Sequence, residues 1–168
     1  MVTRWHLLRL PVRVEGHQRH WTLVKNVVVD WSDLVLQGFV LESGPFRTLF
    51  LPADAGVRIT TTGIEMASRS LVQRRNRRWR KQWVQSDWIY GRLLVHDPQD
   101  RVVGMVKDLI IDEDTLQVQS VVVSRGLLAD LLYGALVVSA PTIWQDVWGK
   151  IKIDSLGYAK NGDIIDVK

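Results

Sequence analysis

LVKNVVVDWSDLVLQGFVLESG, residues 23–44, and MVKDLIIDEDTLQVQSVVVSRG, residues 105–126, are two versions of one segment set 82 residues apart. They align without a gap, and 7 of 22 positions are identical: Val24/Val106, Lys25/Lys107, Asp30/Asp112, Leu34/Leu116, Gln37/Gln119, Val40/Val122 and Gly44/Gly126. Seven further positions exchange one apolar residue for another. Unrelated segments of average composition would share about one or two identities. Two halves with a common fold are the simplest source of such a repeat, and the repeat organises everything else in the chain.

The likeness extends downstream. GVRITTTGI, residues 56–64, resembles TIWQDVWGK, residues 142–150, at an offset of 86, which sets Val57 against Ile143 and Gly63 against Gly149. The second copy therefore carries about four extra residues near LLADLLYG. Each copy reads as strands and tight turns. VKNVVVD and VKDLIID are β-branched runs of strand length. WSD and EDT are polar breaks before the next strands, LVLQGFVL and LQVQSVVV. Strict alternation in the latter places Val118, Ser120 and Val122 on one face and Gln119, Val121 and Val123 on the other. Gly44 and Gly126 close those strands where a positive φ is expected. LLADLLYG is the only short helical candidate in the second copy, its leucines expected to cap an open end. Asn161-Gly162 signals a terminal hairpin.

Charge is distributed unevenly. Residues 1–68 carry a net +1, residues 69–83 a net +7 without one acidic side chain, and residues 84–168 a net −4. The sequence pI of about 9.6 thus belongs to one stretch between the copies, not to either copy. Within it, RRNRRWRKQW spans residues 74–83. On a helix from about Ser68 to Val84, Val72, Trp79 and Trp83 fall together, and Arg74, Arg77 and Lys81 fall opposite. Such a helix has three uses besides bridging: salt-sensitive RNA binding, contact with anionic lipid, or contact with an acidic protein surface.

The chain has no cysteine, which excludes disulfides and thiolate metal sites and fits a reducing interior. MVTRWHLLRLPVRVEGHQRH contains no apolar core of signal-peptide length. The longest greasy run, residues 127–144, is interrupted by Asp130 and Pro141 and reads as buried interior. His17-x-x-His20 has metal-compatible spacing but lies in a polar, turn-like stretch beside Arg19 that no Cys or Asp joins, and Asp112-Glu113-Asp114 lacks the pattern of a calcium loop. No nucleophile elbow, phosphate loop or dinucleotide fingerprint occurs, so the reading assigns no catalytic residue, metal or cofactor. The eight tryptophans are expected mostly to fill the two cores and their seam. Trp31, in a turn, is the exception expected at the surface.

Residues 91–123, GRLLVHDPQDRVVGMVKDLIIDEDTLQVQSVVV, resemble a PRC-barrel domain, with Gly91, Val95, Asp97, Gly104, Val106, Asp108 and Asp112 in the places of that family's pattern. The first copy is a weaker match. Glu15 stands at the acidic turn, Asn26 replaces Asp108 and Thr22 replaces Gly104, implying a different backbone geometry there. The resemblance implies two small PRC-type β-barrels in tandem: residues 1–68, a basic and helical connector at 69–86, and residues 87–168 with the terminal hairpin. It also implies docking to other macromolecules. PRC-barrel domains occur in the cytoplasmic part of a photosynthetic reaction-centre subunit and in a ribosome maturation factor.

The expected protein is thus a mainly β, cytoplasmic, non-enzymatic docking or scaffold protein. Its expected contact residues are Arg74, Arg75, Arg77, Arg78, Trp79, Arg80, Lys81, Trp83 and Trp31. The expected partner is another protein. RNA or an anionic membrane surface, engaged through the connector, and a second copy of the chain are the alternatives.

Overall fold

The computed structural model describes residues 1–17, 19, 21–42, 49–74 and 93–154. The chain is mainly β, arranged as two sheets. Its strands are β1 (Val2–Thr3), β2 (Pro11–Val14), β3 (Thr22–Asp30), β4 (Val35–Leu41), β5 (Leu49–Pro52), β6 (Arg58–Thr60), β7 (Gly63–Met66) and β8 (Gln73–Arg74) in the first part. The second part contributes β9 (Leu94–His96), β10 (Val102–Ile111), β11 (Val118–Ser124), β12 (Leu136–Ser139), β13 (Ile143–Gln145) and β14 (Ile151–Ile153). Two short helices, α1 (Arg4–Leu7) and α2 (Leu127–Tyr133), complete the regular structure used below.

The first sheet has the order β6-β7-β2-β3-β4-β5-β8 and the second β13-β14-β9-β10-β11-β12. Apart from β8 at one edge of the first sheet and β1 beside β10 in the second, the two orders are the same. Each contains one parallel pair in the same place, β2 with β7 and β9 with β14. Among the described residues neither order returns on itself.

The repeated residues have repeated structural duties. In β3 the register slips at Lys25, and in β10 it slips at Lys107. On the partner strands it slips at Gln37 and at Gln119. Each slip is a β-bulge, which bends the strand and deepens its twist. Asp30 accepts the Ser32 amide at 2.9 Å, and Asp112 accepts the Asp114 and Thr115 amides at 3.0 and 2.9 Å. These are the polar breaks foreseen from WSD and EDT. Val24, Val27, Val29, Leu36, Phe39 and Leu41 are buried, and so are their counterparts Val106, Leu109, Ile111, Val118, Val121 and Val123.

The bulge at Gln119 corrects the alternation expected for β11. Val118 joins Val121 and Val123 in the core instead of siding with Ser120 and Val122. One inserted residue shifts the two-residue period by one, so side chains before it change faces. The downstream alignment is also adjusted. The pairing Gly38↔Pro52 matches Ser120↔Ser139, so the offset grows from 82 to 87 across the α2 segment. Ile59↔Ile64 matches Gln145↔Ile151, which brings Gly63 level with Lys150 and leaves Gly149 as an extra turn residue.

The two sheets share one core. A single buried cluster contains residues of both, from Leu7 and Val12 through Phe39 to Val95, Leu109 and Ile153. At its seam Val35 bridges Gln117, with Leu36 N–H bonded to Leu116 O at 2.8 Å and Val118 N–H to Leu34 O at 2.7 Å. Positions 34, 35 and 36 are the repeat equivalents of 116, 117 and 118, so the two copies meet through the same residues. This is the reciprocity of a two-fold interface, formed here within one chain. Leu34 and Leu116 both take positive φ, 53° and 61°. Such a conformation is unfavourable for a leucine and persists where surrounding bonds impose it.

The N-terminal segment crosses the seam. β1 pairs with β10 of the second sheet, Val2 with Ile111 and Thr3 with Ile110. In α1, Arg4 Nη2 donates to Asn26 Oδ1 at 3.1 Å, and the Trp5 amide donates to Asp108 Oδ1 at 3.0 Å. Asn26 and Asp108 are repeat equivalents, so one turn of helix grips the same position in both copies. Residues 2–3 thus belong structurally with the second copy, a crossing that a division at residues 68 and 87 does not foresee.

Candidate docking surface

The described start of the connector is not α-helical. Arg69–Leu71 form a 3₁₀ turn capped by Ser68, and Gln73–Arg74 form β8, pairing with Phe50 and Leu49. Its neighbourhood explains this: an exposed sheet edge offers Gln73 and Arg74 backbone partners that a helix starting at Ser68 would forgo. Arg74 is exposed. Arg75, Arg77, Arg78, Trp79, Arg80, Lys81 and Trp83 lie outside the described residues, as do His20 and the Asn161-Gly162 turn.

Trp31 corrects a second expectation. It stands in the turn after β3, yet it is only 3% exposed and belongs to the shared core. The turn faces the second copy, where Ser32 Oγ lies 3.4 Å from Gln145 Oε1. A tryptophan at the seam buries more area than any other side chain could there. The other described tryptophans depart from the core-filling expectation. Trp5 and Trp148 are exposed, Trp144 is nearly two-fifths exposed, and Trp21 is half-buried under the Arg69 guanidinium, 5.4 Å from its ring centre.

The largest departure is α2. Its sequence, LLADLLY, reads as interior, but no residue of it is buried. Leu127, Leu128, Leu131 and Leu132 are each at least 70% exposed. At 100° per residue these four span an arc of about 140°. Asp130 falls outside that arc and fixes the helix. Its carboxylate accepts Ser124 Oγ at 2.6 Å and the Arg125 amide at 3.0 Å, with Lys107 Nζ at 3.8 Å. The Ser124 hydroxyl and the Arg125 amide hold the Asp130 carboxyl below its ordinary range. Gly126, at φ 108°, gives the abrupt exit from β11. The one charged side chain of the helix is thus turned toward its own strand, and the leucines are turned out. They do not cap the interior.

A second apolar projection is the turn between β13 and β14. Val147 and Trp148 are exposed at its tip. The Asp146 carboxylate accepts the Trp148 and Lys150 amides, both at 2.9 Å, and so fixes the turn.

Sheet register brings the two projections to one end of the second sheet. Ile151 pairs with Val95, which sets Lys150 level with Leu94; Leu94 pairs with Met105, and Met105 with Ser124. Along this row Leu94 and Met105 are themselves exposed. Three strand spacings separate the turn from the start of α2, roughly 14 Å. Sequence reading missed this surface because it treats LLADLLY as core by composition. The available signal was that the first copy has no such segment in its alignment, so the common core does not require it.

The carboxylates singled out in the sequence have structural tasks. Asp97 accepts the Gln99 and Arg101 amides, both at 2.9 Å, and Arg101 Nε at 2.6 Å. Burial works to raise its pKa, but the Arg101 and Gln99 bonds outweigh it and hold the carboxyl below its ordinary range. Burial raises the pKa of Asp108 despite the Leu109 and Trp5 amides. Among the described residues, no group of three His, Asp or Glu side chains could hold a metal ion, and no helix is long and apolar enough to cross a membrane. A groove of about 790 Å³ beside α1 is lined by Trp5, Leu8, Arg9, Leu23, Lys25 and Glu42, among others. Among the described residues it offers a single carboxylate and no nucleophile with a base beside it. Compared with protein-family models and with curated proteins, the chain finds no match.

Proposed function

We propose that this is a non-enzymatic docking protein of the cytoplasm, built from two PRC-type barrel modules in tandem. It engages a partner through the apolar end of its second module. The repeated strand order and the self-equivalent seam support the tandem reading. The carboxylates singled out by sequence are taken up by turn amides and cations, which supports a role without catalysis. One observation carries the docking reading: four leucines, Tyr133, Val147 and Trp148, each at least 70% exposed, stand at one end of the second sheet. Exposed apolar side chains collected in one place mark a contact surface, whereas isolated ones need no explanation. The net +7 of residues 69–83 adds long-range attraction toward an acidic partner.

Gentle fractionation of the source cell tests this. The wild-type chain should travel with a larger assembly or a sedimentable fraction, and Leu128→Asp with Leu132→Asp should release it as a free 19.3 kDa species. If both forms migrate freely, the docking reading is wrong.

A further inference from the structure

Resting on that reading, we propose that the surface contacted by the apolar end of the second sheet is an anionic phospholipid bilayer. Three features of this end select a bilayer from other occupants. The first is shape. The apolar residues are carried by two projections, α2 and the β13–β14 turn, about 14 Å apart by three strand spacings. A fluid bilayer receives both at once, whereas a protein groove would have to match the two and the space between them.

The second is composition. Leucines form one exposed face of α2, while Tyr133 falls on the helix's other side with Arg125 stacked 6.0 Å from its ring centre. Trp148 tips the other projection and is 85% exposed. Leucine in the acyl boundary, with tyrosine and tryptophan at headgroup level, is the arrangement interfacial segments use.

The third is charge. The cations bordering this end stand out, with Lys107 58% and Lys150 43% exposed. Beside α2 the carboxylate is tucked in, with Asp130 14% exposed, whereas at the other projection Asp146 is 15% exposed and Lys150 is paired with Asp100, itself 54% exposed. Arg125 is exposed as well. The field presented outward beside α2 is therefore positive, matching an anionic headgroup layer. A second copy of the chain would meet it with the same positive sign.

The test is sedimentation of the full chain with vesicles of phosphatidylcholine containing phosphatidylserine, and with phosphatidylcholine alone. The expected result is binding to the mixed vesicles that weakens with added salt and falls on pure phosphatidylcholine. Each of Lys107→Gln and Arg125→Gln should weaken binding to mixed vesicles by about fivefold, the effect of one cation near such a surface. Leu128→Asp with Leu132→Asp should abolish it, and Trp148→Ala should reduce it several-fold. All these side chains are exposed, and thermal melts confirm that the variants remain folded. Absence of binding to mixed vesicles overturns the proposal, as does binding that the leucine substitutions leave intact. A dimer in solution that those substitutions dissociate also overturns it, by making a second copy the occupant. If vesicle binding fails while fractionation still depends on Leu128 and Leu132, the bilayer is wrong and the docking surface stands.

Discussion

Gly104→Ala should be among the most damaging single-methyl additions available in this fold. Gly104 lies on β10, close against the end of β11. A Cβ built there would sit 2.3 Å from the Ser124 carbonyl oxygen and 2.8 Å from Val123 Cγ1. Ordinary contact begins near 3.4 Å, so β11 would have to retreat by about 1 Å. The obstacle is a backbone carbonyl beside the Met105↔Ser124 pair, so it cannot rotate aside. Overpacking of this kind costs about 1–3 kcal/mol, and a rigid obstacle places it near 3. For a chain of this size that lowers Tm by roughly 6–12 °C. The equivalent position in the first copy is Thr22, whose hydroxyl donates to the Glu42 carbonyl, the counterpart of Ser124. There the strands already accommodate a side chain, and Thr22→Gly should cost about 1–2 kcal/mol through the lost bond and added chain entropy. Urea titrations followed by tryptophan fluorescence measure both, with the transition slope unchanged. Equal costs for the two substitutions, or Gly104→Ala within about 0.5 kcal/mol of wild type, would refute the close-approach argument.

Leu7→Ala, at a fully buried residue on the segment that crosses the seam, should cost about 2–5 kcal/mol and move a single cooperative transition; two separate transitions would show that the copies do not share a core. Trp31→Ala should cost about 3–5 kcal/mol, while the milder Trp31→Phe leaves partner binding unchanged; a binding loss with the fold intact would return Trp31 to the contact surface. Asp97, Asp112 and Asp130 have folded pKa values below the ordinary 3.8, so the stability they contribute is complete above that pH and drains away as pH falls through their folded values. Asp108 has the opposite sign: its raised folded pKa makes stability fall as pH rises through the window above 3.8. Asp108→Asn keeps the acceptor for Trp5 and Leu109, as Asn26 suggests, and should compare more favourably with wild type at pH 7 than at pH 3 in chemical denaturation; the reverse order would contradict burial as the cause.

The repeat was legible because its identities mark positions with one structural solution. Asp30 and Asp112 bind turn amides, Lys25/Lys107 and Gln37/Gln119 occupy bulges, and Leu34/Leu116 share an unusual backbone conformation at the seam. Their local causes repeat with the sequence. The bulge itself was not legible, because Gln119 alternates with its neighbours as well as any strand residue does, and only pairing with β10 reveals the slip. The contact surface was hidden by the same kind of ambiguity. LLADLLY has core composition, and exposure is decided by where Asp130 is tethered, a tertiary fact. Trp31 failed in the other direction, since a turn facing a second copy is buried even though isolated turns are exposed.

The absence of cysteine from the sequence allows the central claim to be measured at single sites. Leu128→Cys, Trp148→Cys and, as a control, Thr61→Cys can each carry one environment-sensitive fluorophore, read in extract from the source cell. Labels at 128 and 148 should shift to the blue as they leave water, with no change at 61 on the β6–β7 turn. Unchanged emission at 128 and 148, or the same shift at all three positions, would contradict a docking surface at that end of the second sheet.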